Sequence, residues 1–114
     1  CRKTTRLVAE SMNLPEDSFM TTFQSRFGPA EWLQPYTDKT IEKLAKDGIE
    51  NIHVISPAFS SDCLETIEEL NEENREIFME NGGKKFGYIP CLNDRDDHIL
   101  LLTSLLENEL HGWV

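Results

Sequence analysis

Residues 51–74 read NIHVIS (Asn51–Ser56) followed by PAFSSDCLETIEELNEEN (Pro57–Asn74). The first six form a near-continuous apolar run, the pattern of a strand buried on both faces of a sheet. Pro57 ends it, a turn of small residues follows, and a helix begins at Ser60 or Asp62. Asp62 and Glu65 have the reciprocal spacing of a capping box. A strand turning tightly into a helix is half of a strand–helix–strand unit. The helix stands out for its charge. Between residues 62 and 80 lie eight acids against Arg75 alone, so most of the formal net charge of −10 is concentrated there.

Upstream, TDKTIEKLAKDG (37–48) predicts a helix capped by Thr37 or Asp38, with Ile41, Leu44 and Ala45 as its buried stripe and Gly48 at its end. Before it, Ser18–Gln24 (SFMTTFQ) is aromatic and β-branched and reads as a strand. Residues 2–12 carry Leu7, Val8 and Met12 at helical spacing, and Pro15 stops that helix. Downstream, Leu64, Ile67, Leu70, Ile77 and Phe78 form the apolar stripe of the acidic helix, which Asn81-Gly82-Gly83 terminates. Phe86–Ile89 (FGYI) reads as a third strand. Asn93 or Asp94 opens a last helix, residues 94–111, with Ile99, Leu102, Leu105, Leu106 and Leu110 on one side. This alternation predicts one α/β domain over 1–114, a parallel sheet flanked by helices with right-handed crossovers. Ligands on such sheets sit beyond the carboxyl ends of the strands. The loops 25–36, 57–61 and 90–93 leave those ends and belong on one edge.

Composition narrows the function classes. No apolar run approaches the ~20 residues of a membrane span. The N-terminus lacks the apolar centre of a signal peptide, and with no initiator Met the chain reads as a piece of a longer one. Cys1, Cys63 and Cys91 form no close pair, which points to a reducing, cytoplasmic compartment. Concentrated acidity disfavours nucleic acid and favours a cation or cationic ligand. No phosphate cradle, nucleophile elbow or zinc spacing occurs.

Glu65, Glu69 and Glu73 recur every four residues and share one helical stripe. A solvated acidic face accounts for the composition. The spacing, though, places like charges together at a few tenths of a kcal/mol each. A divalent cation, or protons moving along carboxylates, would offset that. Glu65, in the first turn, is the best placed. Cys63 is a soft ligand or a buried thiol. His53, His98 and His111 form no cluster and read as structural or surface residues. The 25–36 loop spends Phe27, Trp32, Leu33 and Tyr36 on either a core-facing lid or a wall for a flat apolar ligand. Arg26 beside it suits a ligand carboxylate.

Taken together these stretches resemble the ferrochelatase family. QSRFGPAEWLQPYTDKTIEKLAKDG is similar to the family's QS-(R/K)-x-G-x-x-x-W-L-x-P-x-T-D segment. PAFSSDCLETIEELNEEN resembles its Asp-(His/Cys)-x-Glu-(Thr/Val) core opening a helix, and GGKKFGYIPCLNDRDDHI resembles its closing segment. The resemblance implies a Rossmann-like, chelatase-type fold, this chain being the C-terminal lobe of two with a porphyrin cleft between them. It implies insertion of ferrous iron into protoporphyrin IX, with iron as substrate and the N-terminal lobe as partner. Glu65 would share the metal site with a histidine of the other lobe, which this sequence does not supply, so the chain alone is expected to be inactive. Glu69 and Glu73 would line a path from that site on a partly π-type helix. Trp32 would lie near the porphyrin, with Phe27, Arg26 and Tyr36 as further porphyrin contacts. Cys63 stands where some members have histidine, as in many bacterial members. The end at Val114, without the cysteine-rich extension of animal members, implies no iron–sulfur cluster and no C-terminal anchor. Peripheral membrane association stays open. Two rivals remain: a lobe that binds porphyrin or cation without turnover, and a related cobalt or nickel tetrapyrrole chelatase.

Overall fold

The computed structural model describes residues 1–113, and Val114 lies outside them. Helix α1 (Arg2–Met12) leads through a 3₁₀ turn (Glu16–Ser18) and a long loop to α2 (Thr37–Lys46) and strand β1 (Asn51–Ile55). A π-helix (Glu65–Glu73) runs directly into α3 (Asn74–Glu80), followed by β2 (Lys85–Ile89) and α4 (Asp96–Glu109). The two strands pair in parallel, Asn51 opposite Lys85 and Ile55 opposite Ile89. The architecture is the expected α/β one, a parallel sheet flanked by helices.

One face of the sheet carries the core. Ile41 and Ala45 of α2, Phe78 of α3 and Phe86 of β2 form its buried centre, with Ile52, Val54, Ile77 and Tyr88 packed against it. Phe78 has no exposed surface, and its ring meets Phe86 at 6.1 Å between centroids, tilted by 55°. Gly83 makes this fit, since a Cβ there would fall 2.2 Å from the Phe78 ring. Arg75, the sole base of the acidic segment, donates to the Phe86 carbonyl at 2.7 Å. Its guanidinium also lies 5.1 Å from the centroid of the Phe86 ring. The helix is thus bolted to β2 by its one cation.

Several expectations need correction. The segment Ser18–Gln24 forms no strand. Its backbone makes a single parallel bridge, Phe23 to Tyr36, and side chains hold the rest, as in the 2.9 Å bond from Thr37 to Thr22. Extended, β-prone backbone registers as strand only where a neighbour offers a continuous ladder. β1 is not buried on both faces: Ile52 and Val54 point inward while His53 and Ile55 are exposed. The Asp62–Glu65 capping box does not form. Thr66 takes the place of the glutamate, its Oγ1 accepting the Cys63 N–H at 2.9 Å. The helical stripe is buried at Leu70 and Phe78, but Leu64 and Ile67 are exposed, and the polar Thr66 and Asn74 are buried instead. In α4 the leucine side is open rather than packed. No side chain of Asn93 or Asp94 caps that helix, whose N-cap is Arg95.

Candidate functional site at the mouth of the pi-helix

Beyond the carboxyl end of β1 the chain turns through 57–63 into the π-helix. In it, amides bond five residues back, as Asn74 N–H does to the Glu69 carbonyl. This wider winding keeps four-spaced side chains closer to one line than an α-helix would. The stripe of acids is therefore real, but its members differ.

Glu65 is exposed in the first turn. A hydrogen bond from the Cys63 thiol, reinforced by a backbone N–H, holds its carboxyl below the ordinary glutamate range. It is ionised at neutral pH, an acceptor suited to a cation and a weak proton acceptor. Glu69 is half-buried and engaged: Ser25 donates to it through its N–H at 2.8 Å and through Oγ at 2.6 Å. Ser25 adopts a left-handed backbone, φ 59°, uncommon outside glycine and held here by those two bonds. Gln24 adds a bond to the Glu65 carbonyl at 3.1 Å. The long loop is thereby pinned to the helix at two successive residues. Glu73 is exposed and, with Glu69, Ser25, Asp38 and Asn74, lines a cleft of about 330 Å³. On that wall Asn74 is 2% exposed. Its amide donates to the Glu69 carbonyl at 2.8 Å, while its Oδ1 is buried without a partner among the described residues. Arg26 and Gln24 line the same cleft, so its polar wall combines the carboxylates of Asp38, Glu69 and Glu73 with one guanidinium. Ser25→Ala removes one charge-assisted bond and is expected to lower stability by about 1.5–3 kcal/mol, read as a drop in urea midpoint.

The 25–36 loop is no core-facing lid. Phe27 is 85% exposed and Leu33 67%. Trp32 donates its indole N–H to the Phe27 carbonyl at 2.8 Å, fixing its ring beside that residue. Arg26 pairs with Asp38 at 3.2 Å and lies 4.2 Å from the centroid of the Tyr36 ring. Arg26 and Tyr36 thus hold each other, and Arg26 meets an incoming carboxylate only by sharing itself with Asp38. Phe27, Trp32 and Leu33 offer an open apolar wall.

One cluster was not visible beforehand. Asp62 accepts hydrogen bonds from Tyr88 at 2.6 Å, from Asn93 at 2.8 Å and from Thr66 at 2.9 Å. These donors, Tyr88 foremost, hold its carboxyl far below the usual range. Tyr88 is pushed well above a normal phenol by its burial and then by Asp62. Burial likewise raises the Cys91 thiol. Asp62 titrates lower in the folded chain than in the unfolded one, so its contribution is complete above pH ~4, the ordinary aspartate value. It fades as pH falls through the depressed value. The stability advantage of wild type over Asp62→Asn is expected to be constant from pH 5 to 8 and to shrink below pH ~4, measured by urea titration at each pH. The sequence signal for this cluster is slight: Asn93, in a loop leaving a strand's carboxyl end, is a residue tolerant of the left-handed φ of 50° it adopts.

Among the described residues no three His, Cys, Asp or Glu side chains converge as a metal site. Glu65 belongs to no such group among the described residues. His53 and His111 are exposed and His98 is buried against Ser60.

The molecule is an α/β protein whose parallel sheet delivers an acidic π-helix to its carboxyl edge, facing an apolar-walled loop. A family model described as Ferrochelatase matches residues 1–110. Proteins described as Ferrochelatase from Rhizobium etli (strain CIAT 652) and Marinobacter nauticus are similar throughout. The first is 59% identical over 114 residues, all of this chain and 33% of that protein. The second is 60% identical over 113 residues, 99% of this chain and 30% of that protein. The chain belongs to the ferrochelatase family. It spans about a third of the length of the curated relatives it matches.

Proposed function

We propose that this chain forms the C-terminal lobe of an enzyme that inserts ferrous iron into protoporphyrin IX: protoporphyrin + Fe²⁺ → protohaem + 2 H⁺. The observation that carries this is Glu65, an exposed and firmly ionised carboxylate in the first turn of a π-helix at the carboxyl edge of the sheet. Insertion requires an ion held and partly desolvated, a macrocycle bent so that its nitrogens face the metal, and two protons removed. Glu65 supplies charge for the ion. Its lowered basicity makes it a cation contact before it is a base. Glu69, held by Ser25, serves as fixed negative charge along the path, and Glu73 in the cleft is the mobile member. Phe27 and Trp32, with Tyr36 and Arg26 behind them, present the wall on which a flat macrocycle rests. The other metal ligands and the second wall of the cleft come from the remaining two thirds of a family-length polypeptide. The compartment in this proposal is the cytoplasm, supported by the free thiols of Cys1, Cys63 and Cys91. No helix among the described residues is long and apolar enough to cross a membrane.

The test is metallation followed by visible absorbance, with Fe²⁺ and protoporphyrin IX, on the 114-residue chain and on a family-length polypeptide carrying it. Turnover is expected from the long form only. A long form that binds porphyrin without inserting iron, or that accepts only Co²⁺ or Ni²⁺, overturns the assignment. A second reading for these residues alone is a porphyrin- or cation-binding lobe without turnover, favoured by the lack of three converging ligands among the described residues.

A further inference from the structure

The π-helix hands over to α3 at a buried asparagine whose amide is satisfied on one side only. Asn74 opens α3 and is 2% exposed. Its backbone N–H bonds the Glu69 carbonyl five residues back, and its side-chain Nδ2 donates to the same oxygen at 2.8 Å. A carbonyl oxygen has two lone pairs and can take both. Because it can only accept, the amide orientation is settled: nitrogen toward Glu69, Oδ1 away from it. That Oδ1 is buried without a partner among the described residues. Leaving a buried acceptor unpaired costs more than a typical hydrogen bond returns net. Leucine has nearly the shape of asparagine. At 74 it would remove that cost and join the buried Leu70 and Phe78, four residues to either side. Stability alone favours leucine, and costs of this kind are retained where a protein works. What the amide does is hold the Glu69 carbonyl.

The partner of that carbonyl decides the winding. In an α-helix it would take the Glu73 N–H, four residues on; here it takes Asn74. Under α-winding, acids four apart would drift about 40° around the axis at each step. Winding of the π type is rare and needs a local cause. The next residue ties the junction from its other side: Arg75 Nε donates to the Asn71 carbonyl at 3.0 Å and its Nη2 to Asn71 Oδ1 at 2.7 Å. From the loop, Ser25 holds the Glu69 carboxylate through two bonds. Glu69 is thus gripped at both ends, its carbonyl by Asn74 and its carboxylate by Ser25. We propose that Asn74 is a positioning residue whose amide keeps the helix π-wound at Glu69, and so holds Glu69 and Glu73 in line along the cleft. Being buried, it acts through Glu69 rather than on the ion. The inference rests on the acid stripe serving the ion in the proposed function, and the experiment separates the two.

In a family-length polypeptide, Asn74→Leu is expected to lower kcat for iron insertion about 10–100-fold, the usual effect of removing a group that orients a working side chain. Its urea midpoint is expected to stay at the wild-type value or rise. A crystal structure of the variant is expected to show the Glu69 carbonyl taking the Glu73 N–H, its α-helical partner. A midpoint that falls together with the rate marks Asn74 as merely structural and overturns the inference. So does a wild-type rate, or a variant in which the Glu69 carbonyl still takes the N–H of residue 74. Where Asn74→Leu does not fold, Asn74→Ala, which removes the same amide and adds no bulk, decides by rate and winding. Glu65→Gln keeps the two readings apart. If it retains its rate, the proposed function itself falls. If it loses rate while Asn74→Leu does not, only the role of Asn74 falls.

Discussion

Glu65→Gln in a family-length polypeptide is expected to cut iron insertion by about 10²-fold or more in kcat, the scale of removing one positioned acid–base or charged group. The substitution keeps shape and removes charge. Glu65 is exposed and among the described residues no cation pairs with it, so folding loses little. Its carboxyl sits below the ordinary range because the Cys63 thiol and a backbone N–H bond the ionised form. It is therefore ionised throughout pH 5.5–8, and the deficit of the glutamine variant should be constant over that window. A base poised near neutrality would instead give a deficit that grows with pH. Glu65→Asp keeps charge but withdraws it by one methylene, and should fall between the two. Retention of more than a third of the wild-type rate by Glu65→Gln removes Glu65 from the chemistry.

Phe78→Ala is the largest expected loss of stability, about 3–5 kcal/mol for a fully buried aromatic. The core it leaves is small: Ile41, Ala45 and Phe86 are its only buried neighbours in the cluster. A domain holds only about 5–15 kcal/mol in total. The variant is expected to show a urea transition shifted to far lower denaturant or absent at 25 °C. Gly83, whose backbone lies against the Phe78 ring, cannot relax inward without losing its 2.9 Å bond to the Phe78 carbonyl, so the cavity stays open. Phe78→Leu refills most of the volume and should stay folded. A shift in Phe78→Ala worth under about 1 kcal/mol would mean the core lies elsewhere. Because α3 continues the π-helix without a break, the same variant should also release the acid stripe.

Much of this was legible in residues 37–89. Helix α2, both parallel strands and the acidic helix all follow from local periods and from Gly48 and Asn81-Gly82-Gly83 as stops. What failed was everything set by a neighbour. Ser18–Gln24 has strand composition, yet among the described residues only Phe23 finds a bridge partner on another stretch of backbone. β1 looks doubly buried in composition, but burial is decided by what packs on the second face. The capping residue proved to be Thr66 rather than Glu65, because Asp62 was already committed to Tyr88 and Asn93. The spacing of Glu65, Glu69 and Glu73 placed them on a stripe correctly, while their separate conditions depend on Ser25 and Cys63, contacts no period encodes. The hydrogen-bonded cluster around Asp62 was invisible for the same reason: Asp62 and Asn93 lie 31 positions apart.

The open face of the two-stranded sheet carries a consequence for the life of the polypeptide in a cell. His53 and Ile55 on that face are uncovered, and α4 displays Leu100, Leu101 and Leu106 to water. Unpaired edges and bare apolar helices are the surfaces that chaperones hold and that other chains join. The lifetime of this stretch as a free species would be governed by how soon a complementary surface covers it, and only secondarily by the strength of its own small core. A substitution on that face would therefore show itself first as lost abundance, with the geometry around Glu65 unchanged in whatever molecules survive.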